Sequence, residues 1–345
     1  MNRTVKITKA PFLRNSGTVQ SLMLDMLVAM AFVYMMPIFF YGFRVLKNLA
    51  VSLVVCYFAD LLVRRIRDGK YNFLDLSPLV TGAILPLLFP ASIDIGIIVI
   101  ADLFAILVVK HPFGGLGNNP FNPAAAAFCF ATISWPLKVF AYTKPMQWLS
   151  IFGSVSENVR LYETSAKSLS QGGKPLFDFF DVLVGNTPGA AGATSVIVIL
   201  AAGAYLLYRK ALSVQISAGV LIGASVFALI FPRASINIFE ALWFEITSGV
   251  LIFGAVFMAT EPVTSCKHPY AKWIYGISIG ILTMLFRHFG KMEIAFPFAL
   301  LIANSFTPFL DKIGTGIDRY TDLTPRLSKE ERLKEKQKGG VENEA

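Results

Sequence analysis

Apolar residues in this chain run in long stretches, without the strict alternation of a half-buried strand or the one-sided stripe of a soluble amphipathic helix. A bilayer core of roughly 30 Å takes about 20 helical residues, and runs approaching that length occur at about ten places. They lie near 22–42, 47–63, 76–90, 93–109, 122–141, 192–208, 213–231, 241–260, 273–288 and 294–310. The pattern predicts an all-α integral membrane protein of about ten transmembrane helices. The run at 76–90 is short, contains Pro78 and Pro86 and follows Asp75, which suits a half-helix pointing at a binding site.

Two polar interruptions stand out. Residues 113–127 read FGGLGNNPFNPAAAA, and residues 257–264 read FMATEPVT. Irregular backbone at membrane depth persists only where protein or a water-filled cavity surrounds it, so Asn118, Asn119, Asn122 and Pro123 are expected to mark an interior site or a broken helix. A polar insertion then divides the chain into a cytoplasmic N-terminal segment 1–21, a first membrane repeat 22–141, an external loop 142–191, a second repeat 192–311 and a cytoplasmic tail 312–345. Five spans on each side of the loop would give the halves opposite orientations, an inverted repeat with ligands near the midplane. The halves echo each other weakly: Asp75–Pro90 precedes NNPFNPAAA in the first, and GATS at 192–195 precedes ATEPVTS in the second.

Composition agrees: 55% of the 345 residues are hydrophobic, 15% are charged, and mean hydropathy is +0.60. The net charge of +9 reads as topology. With both termini cytoplasmic, Arg3, Lys6, Lys9, Arg14, the cluster Arg64, Arg65, Arg67 and Lys70, then Lys110, Arg209, Lys210, Lys267, Lys272 and the tail fall on the inner side. No basic surface interleaved with aromatics suggests nucleic acid. Cys56, Cys129 and Cys266 form no CxxC pair and suit buried inert thiols, while His111, His268 and His288 are scattered, so no metal site is expected. The polar start of the chain is not the pattern expected of a cleavable signal, and the first span is expected to stay in the mature protein.

Ionisable groups in apolar runs are costly and by default functional. Asp60, Asp102, Glu240 and Glu245 fall in or near predicted spans, where a functional role and a plain interfacial position or hydrogen bond to a neighbouring subunit both stay open, with Asp102 nearest a span centre. Asp102 and Glu261 are the candidates for an ion path, and Glu261 is expected to organise its surroundings together with Thr264.

Six segments in order carry a resemblance: PFLRNSGTVQSLMLDMLVAM, DLSPLVTGAILPLLFP, GGLGNNPFNPAAAA, GNTPGAAGATS, FMATEPVTS, and GISIGILTMLFRHFG followed by FALLIANSFTPFLD. Together they resemble the D subunit of Rnf electron-transport complexes, which is similar to the B subunit of the sodium-translocating NADH:quinone oxidoreductase. The resemblance implies a urea-channel-like fold of two inverted five-helix repeats in a bacterial inner (plasma) membrane. It also implies partners in a ferredoxin:NAD oxidoreductase that passes electrons through flavin and iron–sulfur centres, coupled to Na+ or H+ movement. Such a chain is not catalytic alone. FMN esterified to a threonine of the external loop, and riboflavin among the helices, are the implied cofactors. Asn118, Asn119 and Asn122 could then face an isoalloxazine edge, although capping of the fifth span is expected for Asn119 and Asn122, and Thr260 and Thr264 join the cofactor-binding candidates.

The chain departs from this pattern twice. The flavin-acceptor motif resembles Asp-x-x-Ser-Gly/Ala-Ala-Thr, but residues 161–169 read LYETSAKSL, with Lys167 where the threonine belongs and Leu161 where the aspartate belongs. A lysine amine cannot make the phosphoester. Thr164, Ser165 and Ser168 are the nearby hydroxyls, and the alternative is unattached FMN with Lys167 opposite its phosphate as a point charge. At 192–195, GATS stands where the family carries Gly-Glu-Thr-Ser. Two rival functions follow: a divergent scaffold without covalent flavin, and a urea-channel-like solute channel.

Overall fold

The first two apolar runs form α1 (Val19–Tyr41) and α2 (Phe43–Asp68), each long and apolar enough to cross a bilayer alone. Between them Gly42 adopts φ 75°, a left-handed turn against which the Trp148 ring packs. The computed structural model describes residues 19–69, 75–152, 161–233 and 237–317, and every regular element among them is helical. The N-terminal basic segment, Lys70, residues 153–160 of the external loop and the tail beyond 317 lie outside the described residues.

Later spans are shorter or broken. α3 (Ser77–Leu88) is a half-length helix that opens on Pro78. α4 (Ile95–Leu103) continues into a π-helical turn, Phe104–Lys110. The run predicted at 122–141 stops early: α5 (Pro123–Ser134) ends before Trp135, and the short α6 (Pro136–Val139) follows. The external loop carries α7 (Ser165–Ser170) and α8 (Phe179–Val184).

In the second half, α9 (Val196–Tyr208) and α10 (Val214–Ile230) lead to α11 (Ile238–Thr247) and α12 (Leu251–Phe253) with its own π turn, Gly254–Met258. This run, predicted as one span over 241–260, is bent by 57° at the break. Gly249 sits there with φ 62°. α13 (Pro269–Phe289) and a last helix, α14, over residues 296–317 complete the described chain. Counting the bent pair as one, three of the described helices qualify as crossings by length and composition alone.

The two halves share a local plan. In each, a helix widens into a π turn, a polar loop follows, and the next helix opens on proline: Lys110 to Pro123 in the first half, Met258 to Pro269 in the second. π turns accompany functional sites because the extra residue re-aims the backbone that follows.

Packing uses small residues where helices must approach closely. Gly219 and Gly223 on α10 face Gly276 and Gly280 on α13, two GxxxG pairs set against each other's backbone. A Cβ at Gly219 would meet the Ile277 amide nitrogen at 3.1 Å and Gly276 Cα at 3.2 Å. In lipid, where apolar burial gives no net drive, such close contact is what holds helices together. Polar ties fix the first half to the second: Arg209 Nε and the Tyr205 hydroxyl of α9 donate to Asp25 Oδ1 of α1 at 3.0 and 3.2 Å. Phe32, Met35 and Phe39 of α1 and Val54, Phe58 and Leu62 of α2 are exposed, the apolar outer surface of a membrane protein.

Candidate functional site

The loops after the two π turns meet. Asn122 is the N-cap of α5, its Oδ1 accepting from Ala125 N at 3.0 Å, and its Nδ2 donates to Glu261 Oε2 at 2.9 Å and to Met258 O at 3.4 Å. One side chain therefore starts a helix in the first half and fastens the polar loop of the second. Glu261 Oε2 also accepts from Thr264 Oγ1 at 3.1 Å, and Thr260 Oγ1 donates back to Val256 O inside the π turn at 2.6 Å. Asn119 is buried but caps nothing: its Nδ2 braces Phe121 O at 3.2 Å and its Oδ1 has no hydrogen-bond partner, which corrects the expected capping role. Asn118 is exposed on the loop.

Beneath the junction lies a cavity of about 40 Å³ whose polar lining includes Lys110, Asn119, Asn122, Thr260 and Glu261, with Ser77 and Thr81 of α3 opposite. That volume admits a few waters or a small ion. It does not admit a three-ring flavin, which needs a pocket of roughly 300 Å³ or more.

Lys110 corrects the reading of basic residues as loop charges. It is 2% exposed, and its Nζ donates to Asp60 Oδ1 at 2.9 Å and to Ser77 Oγ at 2.6 Å. His111 Nε2 also lies 2.9 Å from Asp60 Oδ1. Arg64 Nε is 2.6 Å from Asp60 Oδ2, off-line for a hydrogen bond but a close ion pair, and Arg64 pairs with Asp75 as well. Two carboxylates, Asp60 and Asp75, thus face Arg64, Lys110 and the His111 ring. His111 Nδ1 has no hydrogen-bond partner. A buried cluster of this kind survives only because every charge is paired.

The external loop forms a separate site. Thr164 Oγ1 donates to Glu293 Oε2 at 2.7 Å and accepts from Lys167 N at 3.2 Å, capping α7. Ser165 is buried, and Ser168 Oγ donates to Thr164 O at 3.3 Å. Lys167 Nζ points outward, 45% exposed and 3.9 Å from Glu163 Oε1. Burial holds the Glu293 carboxyl above its ordinary range, only partly offset by the Thr164 hydroxyl. The residues here do not fit a phosphoester-linked FMN: the position of the ester is a lysine, the upstream acid is Leu161, and the Thr164 hydroxyl is committed to Glu293. Lys167 retains only the ability to face a phosphate as a point charge.

Asp102 belongs to neither site. It is fully buried between α4 and α2, where its Oδ1 accepts from Ser52 Oγ at 2.7 Å and Cys56 Sγ at 3.3 Å. Glu245 is held by Arg233, bidentate at 2.5 and 2.7 Å, and by Arg287 at 3.6 Å, a buried ion cluster that ties α11 to α13. Glu240 is surface-exposed and pairs with Lys174 of the external loop at 3.3 Å. The three cysteines are free and buried, and no metal-binding group of His, Cys, Asp and Glu occurs among the described residues.

Residues 6–316 match the model of the NQR2, RnfD, RnfE family. Relatives named as the D subunit of an ion-translocating oxidoreductase complex include that of Shewanella denitrificans, 30% identical over 333 residues, or 89% of this chain and 95% of that one. The Haemophilus ducreyi protein of the same name is 27% identical, covering 93% of this chain and 98% of its own. That of Aeromonas hydrophila is 29% identical, covering 89% and 96%.

Proposed function

Since the chain belongs to the NQR2, RnfD, RnfE family and is a membrane subunit of a multi-subunit Rnf-type ion-translocating oxidoreductase complex, we propose that the junction of its two broken-helix loops is part of the passage for the transported Na+ or H+. The observation that carries this is the Asn122–Glu261 hydrogen bond, which closes the two loops over the Lys110 cavity. Irregular backbone and a half-buried acid in a lipid-embedded fold are expensive, and a small cavity between repeats with polar groups set in an apolar lining is where such cost serves transport. The finer architecture we propose is ten crossings as two inverted five-helix units, like that of urea channels, in a bacterial inner membrane with both termini cytoplasmic.

Electrons reach the complex through nucleotide and iron–sulfur chemistry on partner chains, and flavin associated with this chain is unattached, its phosphate opposite Lys167. The composition of 161–169 also favours a second reading, in which the chain assembles the complex and shapes its ion path without a flavin of its own. Affinity purification of the chain from its native membrane in mild detergent tests the proposal. Flavin- and iron–sulfur-containing partners are expected to co-purify; a colourless lone chain that lets small solutes equilibrate across liposomes would establish the solute-channel alternative instead.

A further inference from the structure

The buried face of α2 reads Arg44, Asn48, Ser52, Cys56, Asp60 and Arg64, a polar or ionisable residue at every fourth position. Asn48, Ser52, Cys56 and Asp60 are 3, 0, 0 and 1% exposed. From Arg44 to Arg64 a helix rises about 30 Å, the thickness of the hydrocarbon core. Both ends of this column are paired. Arg44 donates to Ala91 O at 3.1 Å and Ser150 O at 3.0 Å, and Asp60 sits in its cluster with Lys110, His111 and Arg64.

The centre is not paired. Ser52 and Cys56 both donate to Asp102 Oδ1, whereas Asp102 Oδ2 has no hydrogen-bond partner, and no cation lies within ion-pair distance among the described residues. Asn48 Oδ1, one turn from Ser52, is likewise without a partner. An ionised carboxylate in this place would be left with one oxygen neither solvated nor paired. A neutral acid resolves that charge, with its proton on the oxygen that Ser52 and Cys56 leave free.

We propose that Asp102 is a proton-binding site in the membrane interior, a carboxylic acid protonated on Oδ2 that exchanges along the buried face of α2 from the Asp60–His111 end. Uptake forms one O–H bond and cancels one negative charge; release returns one proton to that end, where His111 Nδ1 has no hydrogen-bond partner. The ionisable groups that surrounding elements turn toward this interior are Tyr34 of α1, Cys56 and Asp60 of α2, Cys129 of α5, and Lys110 with His111 after α4; α3 adds none. The site is distinct from the Asn122–Glu261 cavity, although Lys110, which lines that cavity, also binds Asp60. It deepens the ion-translocation reading, and its readout does not require turnover.

The test is infrared spectroscopy of the intact complex in lipid, comparing the native chain with the isosteric Asp102→Asn across a pH series in H2O and D2O. A protonated-carboxyl band is expected in the native complex, shifted in D2O, fading as pH rises and absent from Asp102→Asn. Asp60→Asn is expected to keep the band and slow its exchange. Absence of the band at every pH overturns the proposal, as does a band lost on adding Na+ but not K+ at constant pH, which would make this a sodium site. Should Asp102→Asn fail to assemble, labelling of the native complex with dicyclohexylcarbodiimide, which adds to protonated carboxyls within lipid, decides by peptide mass. An adduct on Asp102 supports the site, and an unmodified Asp102 overturns it.

Discussion

Replacing Asn122 separates the two things its side chain does. Asn122→Ala removes the cap on α5, worth about 1 kcal/mol, and a hydrogen bond to the Glu261 carboxylate, worth roughly 1.5–3 kcal/mol, leaving Thr264 as that group's remaining side-chain partner. The sum is about 2.5–4 kcal/mol. At roughly 2 °C per kcal/mol for a chain of this size, the thermal midpoint of the purified complex is expected to fall by about 5–8 °C. Asn122→Asp keeps the cap but sets a second carboxyl against Glu261 in place of an amide donor. It is therefore expected to be less stable than Asn122→Ala at neutral pH. The loss eases as pH falls, because a carboxyl pair that shares a proton has a raised folded pKa, and its stability is present at low pH and lost as pH rises through that value. The assay is a detergent-solution melting curve followed by size-exclusion recovery at several pH values. An Asn122→Asp complex as stable as the native one at neutral pH would refute the junction.

Other perturbations test separate parts of the structure. Glu245→Gln leaves Arg233 and Arg287 buried without their counter-charge and is expected to cost about 3–5 kcal/mol, read as loss of folded protein after heating. Gly276→Val drives a side chain into the α10 backbone at Ile216 and is expected to abolish recovery of the chain from membranes, while Gly96→Val, in open space, is tolerated. Glu293→Gln removes a carboxyl whose folded pKa is raised by burial. The native contribution is full at low pH and fades as pH rises through that value, so the variant is expected to gain relative stability with rising pH, checked by melting at two pH values. The denatured native chain is expected to show no flavin fluorescence in a gel and no FMN mass increment. Lys167→Thr alone stays dark, and Leu161→Asp with Lys167→Thr is the combination expected to acquire flavin where the attaching enzyme is present.

Much of the site was legible in the sequence because its chemistry is out of place in an apolar chain. Asn, Gly and Pro at 113–123 and Thr, Glu and Pro at 260–262 announced irregular backbone, and both segments are the polar loops of the structure. Their meeting was not legible, since Asn122 and Glu261 are 139 residues apart and nothing local specifies the contact. Lys110 was misread for a related reason: hydropathy places a charge at the end of a run, whereas its partner Asp60 is 50 residues away on another helix. Half-length α3 was foreseen from Pro78, but the 57° break at 248–250 was hidden inside an otherwise apolar run, where Gly249 alone permits the turn. The sequences GVLIG and GISIG were visible, yet only the packed helices show that they face each other.

Cation uptake driven by an electron donor in inverted membrane vesicles tests the central claim most directly, with the native complex compared with one carrying Glu261→Gln, whose assembly is checked by co-purification. If the loop junction belongs to the ion passage, electron transfer through the assembled complex persists while cation uptake falls to the background seen with an ionophore for that cation. Uptake that stays in step with electron transfer in the variant would contradict the account and move the passage elsewhere in the complex.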